Sequence, residues 1–151
     1  MIEIAFSLGE LEKIVKKHIL HRIVPGAIFL VSGPFGAGKT TMAKEIGRII
    51  DVAHEITSPT FTYVSTYNCE NNRLGIKKFV HFDLYRIGTF EELVSLDLMG
   101  YFFDQDSFCF VEWPEIVEQN LDLCDIKDRV VKIAISHDPE NMNLRRLTLD
   151  F

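Results

Sequence analysis

Residues 27–50 read AIFLVSGPFGAGKTTMAKEIGRII, and this stretch decides the fold. The continuous apolar run at 27–31 predicts a strand buried on both faces, as in a parallel sheet. Residues 40–50 carry their apolar side chains at helical spacing, which predicts a helix. Between the two, residues 33–40 fit the pattern G-x-x-x-x-G-K-[ST] of a phosphate-binding loop. Strand, loop and helix follow one another in the order that this pattern requires.

The loop has the chemistry needed to hold a nucleotide. Its glycines allow the backbone N–H groups to surround phosphate oxygens, and the following helix directs its positive end at the same anion. Lys39 is expected to reach the β- and γ-phosphates, and the Thr40 hydroxyl to bind Mg²⁺. The competing interpretation is a glycine-rich turn with a solvated lysine. The predicted nucleotide contacts are Gly33, Phe35, Gly36, Ala37, Gly38, Lys39, Thr40 and Thr41.

Two further apolar runs end in a carboxylate, and both are candidates for binding Mg²⁺ or orienting water. Residues 79–83 end in Asp83, and residues 108–112 end in Glu112. The sequence alone leaves open which of them contacts the metal. His81 lies within the first run, where a packed or hydrogen-bonded strand histidine is the favoured interpretation over a ligand.

The rest of the chain reads as alternating helices and strands in one domain, residues 1–151. A capping-box spacing at Ser7–Glu10 opens a predicted helix to about residue 23, and a second one at Thr89–Glu92 opens a helix to about residue 98. The predicted strands are 61–67 and 74–82, which form an antiparallel hairpin, 108–111, and two closing strands at 130–135 and 145–151. The fold class is therefore a layered α/β domain with a mixed sheet.

Composition limits the partners of the chain. The 151 residues carry 16 Lys and Arg against 22 Asp and Glu, a formal charge of −6. An acidic chain lacks the basic surface of a protein that grips nucleic acid by itself, so a role in RNA chemistry would be indirect and DNA is not expected as a partner. No apolar stretch reaches membrane-spanning length, and the N-terminus does not resemble a signal peptide. Three cysteines outside any CxxC motif indicate free thiols in a reducing cytoplasm.

Four strings together give a specific resemblance. They are GAGKTT at 36–41, SPTFT at 58–62, HFDLYR at 81–86 and EWPE at 112–115. In order and spacing the chain resembles the TsaE family, formerly YjeE, from about Ser7 to Phe151. One departure concerns the loop, where Pro34-Phe35 stand in place of the Asp-Leu pair that many members carry. A second is Leu11, where many members have a threonine.

The resemblance implies a fold and an activity. The fold would be a three-layer P-loop NTPase-like domain with a mixed, mainly parallel sheet and an antiparallel hairpin. The family binds ATP and ADP with Mg²⁺ and hydrolyses ATP weakly when alone. Its members dock on a complex of TsaB and TsaD, which makes threonylcarbamoyladenosine in tRNA, and support repeated turnover of that complex.

The resemblance also implies roles for individual residues. Lys39 keeps its loop role, and Thr60 lies in the segment that behaves like a switch near the γ-phosphate. Asp83 matches the Walker-B-like aspartate, and Glu112 matches a glutamate close to Mg²⁺. The expected catalytic residues are thus Lys39, Thr60, Asp83 and Glu112, and the expected metal ligands are Thr40, Asp83 and Glu112. Trp113 is expected to point away from Mg²⁺, because neighbours in a strand face opposite sides.

Two other functions use the same loop. A small-molecule kinase would need several arginines in a lid, whereas Arg86 is the only arginine within a candidate site motif. A nucleotide-dependent binding module without turnover would need the same residues as an ATPase, so the sequence separates these two poorly. A GTPase is disfavoured because the chain has no N-K-x-D motif for reading guanine.

Overall fold

A seven-stranded mixed sheet forms the centre of the computed structural model, which describes residues 1–151. Its strands are β1 (Ile2–Ser7), β2 (Ile28–Ser32), β3 (Val64–Asn68), β4 (Lys78–Asp83), β5 (Ser107–Glu112), β6 (Val130–His137) and β7 (Leu144–Asp150). Their order across the sheet is β1-β7-β6-β2-β5-β4-β3. The four central strands, β6, β2, β5 and β4, are parallel to one another, and the pairs β1–β7, β7–β6 and β4–β3 are antiparallel. The predicted fold class and the β3–β4 hairpin are confirmed.

Helices cover both faces of the sheet. The α-helices are α1 (Leu11–Ile14), α2 (Lys39–Ile49), α3 (Phe90–Ser95), α4 (Glu115–Glu118) and α5 (Leu121–Cys124), and 3-10 turns lie at Leu8–Glu10, Leu20–Arg22, Met99–Phe103 and Lys127–Arg129. No helix is long and apolar enough to cross a membrane.

Alternate residues of the central strands feed two separate apolar cores. On one face, Phe29 and Val31 of β2 pack in the core that α1 and α2 cover. On the other face, Ile28 and Leu30 pack in the core that α3, α4 and α5 cover. All four side chains are essentially fully buried. This burial on both faces explains the uninterrupted apolar run of the strand, because neither face of a central parallel strand meets water.

The N-terminal region differs from its prediction in two ways. Residues Ile2–Ser7 form β1 against β7, an edge strand that the sequence analysis did not predict. The predicted helix from Ser7 to about residue 23 exists but is irregular, with a π-helical turn at Val15–Ile19 between α1 and the 3-10 turn that follows. The Glu10 carboxylate accepts a hydrogen bond from the Ser7 N–H, as the capping-box spacing predicts.

The hairpin strands begin later than predicted, and the side chain of Asn72 explains one of the two starts. Its Oδ1 accepts hydrogen bonds from the N–H groups of Leu74 and Ile76, which folds this segment into a turn before β4. Residues 57–63, before β3, also lie outside the sheet. Two of them, Ser58 and Thr60, line the cavity described below. Helix α3 begins as predicted, with the Thr89 hydroxyl accepting from the Glu92 N–H. It ends early, at Ser95, two residues before Asp97, whose φ is +59°.

Candidate functional site

The phosphate-binding loop runs from β2 to α2 and is fixed from outside by the closing strands. Gly33 has a φ of +145°, and a Cβ there would lie 2.0 Å from the carbonyl oxygen of Ile135 on β6. Only glycine permits this close approach of two backbones. The Arg145 guanidinium of β7 donates hydrogen bonds to the carbonyl oxygens of Ala37 (3.2 Å) and Gly36 (3.4 Å). These contacts turn the outer carbonyls of the loop away from the place that an anion would occupy.

Lys39, the first residue of α2, is buried and folds back onto its own loop. Its Nζ donates to the carbonyl oxygens of Gly33 (2.6 Å) and Pro34 (2.9 Å) and lies 4.2 Å from the centre of the Trp113 ring. Burial lowers the pKa of Lys39, and the nearby carboxylates, Glu112 foremost, act in the opposite direction. The ammonium group is thus held by weak acceptors that an anionic phosphate oxygen would outcompete.

Glu112, the last residue of β5, contacts both α2, the helix that follows the loop, and the neighbouring strand β4. Its Oε1 accepts a hydrogen bond from the Thr40 hydroxyl (2.7 Å) and lies 2.8 Å from Nε2 of His81. The side chain of Glu112 is almost completely buried, and His81 is fully buried. Burying a carboxylate costs free energy unless it is hydrogen-bonded. The contacts with Thr40 and His81 therefore stabilise Glu112 in this buried position.

Asp83 ends β4 in register with Glu112 on the neighbouring parallel strand. Its Oδ2 accepts hydrogen bonds from the hydroxyls of Ser58 (2.9 Å) and Thr60 (3.2 Å), and its Oδ1 accepts from the Tyr85 N–H (3.1 Å). The segment that precedes β3 is therefore tied to the end of β4 through one carboxylate. This contact places Thr60 in the lining of the cavity.

Three aromatic rings close one side of the site. The ring centres of Phe35, Tyr85 and Trp113 lie 4.7–4.9 Å from one another. The prediction that Trp113 points away from the site is wrong, because its ring lines the same cavity as Glu112. Trp113 has a φ of +54°, which ends the alternation of side chains that a strand would impose. A left-handed conformation is strained for such a bulky residue, and strain of this kind is concentrated at functional sites.

Most of the predicted residues meet in one cavity of about 290 Å³. Its lining includes the predicted Phe35, Gly36, Gly38, Lys39, Thr40, Thr41, Thr60, Asp83 and Glu112, together with Leu8, Ser58, Tyr85 and Trp113. Gly33 and Ala37 do not line it; they belong to the outer side of the loop, against β6 and Arg145. The favoured interpretation of His81 as a packed, hydrogen-bonded strand histidine is confirmed. The contact of Arg145 with the loop was not predicted, because no local sequence pattern marks it.

The donor set of the cavity suits a hard cation. The Thr40 hydroxyl and the carboxylates of Asp83 and Glu112 are oxygen ligands, which Mg²⁺ prefers. No group of three or more His, Cys, Asp or Glu side chains forms a metal site by itself. Mg²⁺ characteristically binds to one or two carboxylates and completes its shell with water and substrate phosphates. The residues present therefore fit a nucleotide-linked Mg²⁺.

Comparison with known proteins gives one consistent result. The family model described as "Threonylcarbamoyl adenosine biosynthesis protein TsaE" matches residues 7–147. A protein of Haemophilus influenzae named tRNA threonylcarbamoyladenosine biosynthesis protein TsaE is 36% identical over 116 residues, which are 76% of this chain and 66% of that protein. The protein of the same name from Bacillus subtilis is 35% identical over 97 residues, 64% of this chain and 56% of its own length.

The matched segments thus span about two thirds or less of these two relatives. Among solved structures, the crystal structure of YdiB from Bacillus subtilis matches with a TM-score of 0.60 and 24% identity, over 98% of this chain and 84% of that one. At this identity the structural match supports the fold alone. The sequence matches are the ones that bear on the family.

Proposed function

Because this chain belongs to the TsaE family, we propose that it is an Mg²⁺-dependent ATPase of tRNA threonylcarbamoyladenosine biosynthesis. The observation that carries the proposal is the meeting of Lys39, Thr40, Asp83 and Glu112 in one cavity beside a phosphate-binding loop. These are the charges and oxygen donors that phosphoryl transfer needs, since catalysis there depends on positioning and on stabilising negative charge.

Each residue has a role in the proposed activity. Lys39 leaves its two loop carbonyls and neutralises the β- and γ-phosphates, while the loop N–H groups and the start of α2 hold the remaining oxygens. Thr40 and Glu112, whose oxygens lie 2.7 Å apart, would hold Mg²⁺, and Asp83, in register with Glu112, would reach it through water. When bound, the metal would neutralise charge on the phosphates. Asp83 orients Thr60 and Ser58 beside the γ-phosphate position, where a hydroxyl can align the attacking water. The aromatic rings form one side of the cavity.

We further propose that ATP hydrolysis serves a partner complex similar to TsaB and TsaD, and that contact with tRNA is made by the partners. The support is the family resemblance together with the acidic net charge of −6, which disfavours direct binding to RNA. The three cysteines are buried free thiols, which fits a reducing compartment such as the cytoplasm.

The second candidate function is a small-molecule kinase, and the cavity gives it little support. Lys39 is the only basic residue among its lining residues, whereas a kinase needs further cations to clamp both the donor and acceptor groups. Arg86, the one arginine within a site motif, stacks on the exposed Phe61 ring at 4.7 Å instead.

One experiment separates the candidates. ATP hydrolysis is measured with the chain alone and with a TsaB–TsaD-type complex from the same source. Weak release of phosphate that rises with the partners supports the proposed function. Binding of ATP without phosphate release in either case indicates a binding module, and transfer of phosphate to a small metabolite pool indicates a kinase.

A further inference from the structure

The proposed function gives no role to the ring of His81, a polar group that is fully buried. His81 lies on β4 in register with Phe110 of β5, and its ring meets the rings of Phe110 and Phe79 at 5.6 and 6.0 Å. An aromatic or aliphatic side chain would satisfy these surroundings equally well. The single polar contact of the ring is Nε2 to Glu112 Oε1, at 2.8 Å.

The surroundings assign the ring proton. A carboxylate accepts hydrogen bonds, so the Nε2–H of His81 is the donor. The other ring nitrogen, Nδ1, is buried and has no hydrogen-bond partner. A proton on Nδ1 would be a buried unpaired donor, which is unfavourable, whereas a lone pair among apolar rings is better tolerated. The ring is therefore built to give one hydrogen bond to one oxygen of Glu112.

Glu112 has two partners, and only one of them, His81, is held in the neighbouring strand of the sheet. The Thr40 hydroxyl donates to the same Oε1 at 2.7 Å, but in the proposed function that hydroxyl also serves Mg²⁺. His81 has no other hydrogen-bond acceptor within reach. Its bond is thus the constraint on the carboxylate that persists whichever way Thr40 turns.

We propose that His81 is a positioning residue that holds the Glu112 carboxylate in its orientation for Mg²⁺, a role that rests on the proposed function. Partners that orient a metal-ligating side chain in this way change metal affinity or activity by about 10- to 100-fold when they are removed. Removal of the bond should therefore weaken Mg²⁺-dependent steps and leave nucleotide binding without Mg²⁺ unchanged.

Two amide variants of the full chain test the role. In His81→Gln the amide nitrogen reaches about as far as Nε2, whereas in His81→Asn it stops near the position of Nδ1. Both are polar, uncharged and hydrogen-bonding, so they share the cost of placing an amide in this core. We measure the Mg²⁺ concentration that half-saturates ADP binding, ADP affinity in excess EDTA, and kcat and KM for ATP. Circular dichroism and the unfolding midpoint check the fold.

The expected result is that His81→Asn needs about 10- to 100-fold more Mg²⁺ and loses kcat, while His81→Gln stays close to wild type. ADP affinity in EDTA should be equal in all three proteins. Equal Mg²⁺ dependence of the Asn and Gln variants would overturn the proposal, because reach is the only relevant difference between them. If His81→Asn fails to fold, His81→Leu replaces it. This variant should also need more Mg²⁺ and lose kcat, and a Mg²⁺ dependence equal to that of His81→Gln would overturn the proposal.

A double-mutant cycle adds a readout that a general packing defect would not give. In a Glu112→Ala background, which lacks the oxygen that His81 contacts, His81→Asn should cause no further loss of Mg²⁺ affinity. Additive losses would overturn the proposal. A wild-type protein that neither binds nor hydrolyses ATP would instead contradict the proposed function itself, so the two failures are distinguishable.

Discussion

The Nζ atom of Lys39 lies 4.2 Å from the centre of the Trp113 ring, so the cation that would meet the phosphates also sits over the only tryptophan of the chain. The same Nζ donates to the carbonyls of Gly33 and Pro34. Any ligand that draws Lys39 towards an anion must therefore change the surroundings of the indole.

The first prediction follows from this contact. ATP or ADP should change the intrinsic fluorescence of Trp113, and removal of Mg²⁺ should reduce the change, because the metal would order Glu112 on the adjacent backbone. Lys39→Ala should abolish most of the change at nucleotide concentrations that saturate by a separate binding assay. Flat emission in wild type under saturating nucleotide would contradict the predicted movement of Lys39.

The second prediction concerns hydrolysis. Lys39→Ala should lower the rate of ATP hydrolysis by about 100-fold or more, since it removes a preorganised positive charge from the phosphates. Lys44→Ala is the matched control: Lys44 lies on the same helix but is half-buried outside the cavity, with its Nζ 3.8 Å from Oε1 of Glu55. Lys44→Ala should retain the wild-type rate, and an equal loss in both variants would count against a specific role of Lys39.

The third prediction distinguishes the two acids. Glu112→Gln should raise the Mg²⁺ requirement, because it weakens a proposed ligand, whereas Asp83→Asn should mainly lower kcat, because Asp83 holds Ser58 and Thr60. Each should reduce hydrolysis by about 100-fold with the fold intact. Asp106→Asn, at an exposed ion pair with Lys77, is the control. Wild-type hydrolysis by either site variant would remove that residue from the mechanism.

The fourth prediction concerns RNA. With a formal charge of −6, the isolated chain should bind tRNA no more tightly than non-specific complexes, whose Kd is about 10⁻⁴ to 10⁻⁶ M at physiological salt. Filter binding or anisotropy over a series of salt concentrations measures this. Tight binding that resists salt would show that the chain itself supplies the RNA contact.

The fifth prediction concerns the thiols. Burial raises the pKa of Cys109 to about 12 and that of Cys69 to about 11, and it raises the pKa of Cys124 as well. At pH 8 the thiolate of Cys109 is present at about one part in 10⁴, and thiolate is the reactive form. Native protein should therefore react with a disulfide reagent far more slowly than unfolded protein, in which all three thiols react. Rapid labelling of the native protein at pH 8 would show that these positions open readily.

The sequence predicts the centre of the site well because its signals there are local. A buried strand, a glycine-rich loop and a helix specify the place of Lys39 and Thr40. Asp83 and Glu112 meet because each ends a parallel strand, and β4 and β5 are neighbours in register. The motifs and the adjacency of β4 and β5 are therefore enough to predict that Asp83 and Glu112 meet.

Other parts of the structure depend on information that no local pattern contains. Arg145 donates a hydrogen bond to the carbonyl oxygen of Ala37, which is 108 residues away in the sequence. Every residue has a backbone carbonyl, so nothing in the loop sequence marks this partner. Trp113 enters the cavity because its backbone is left-handed, which breaks the alternation rule used to predict its direction. The edge strand β1 is a different case, because Ile2, Ile4 and Phe6 alternate with other residues and this local strand signal was not used.

The support that β6 and β7 give to the loop has a consequence for biosynthesis. Residues 33–40 leave the ribosome about 100 residues before Ile135 and Arg145, and domains begin to form while translation continues. A nascent chain that stops short of these strands carries the complete phosphate-binding motif without the surface that shapes it. The proposed nucleotide site is therefore completed only late in translation, after β6 and β7 have been made.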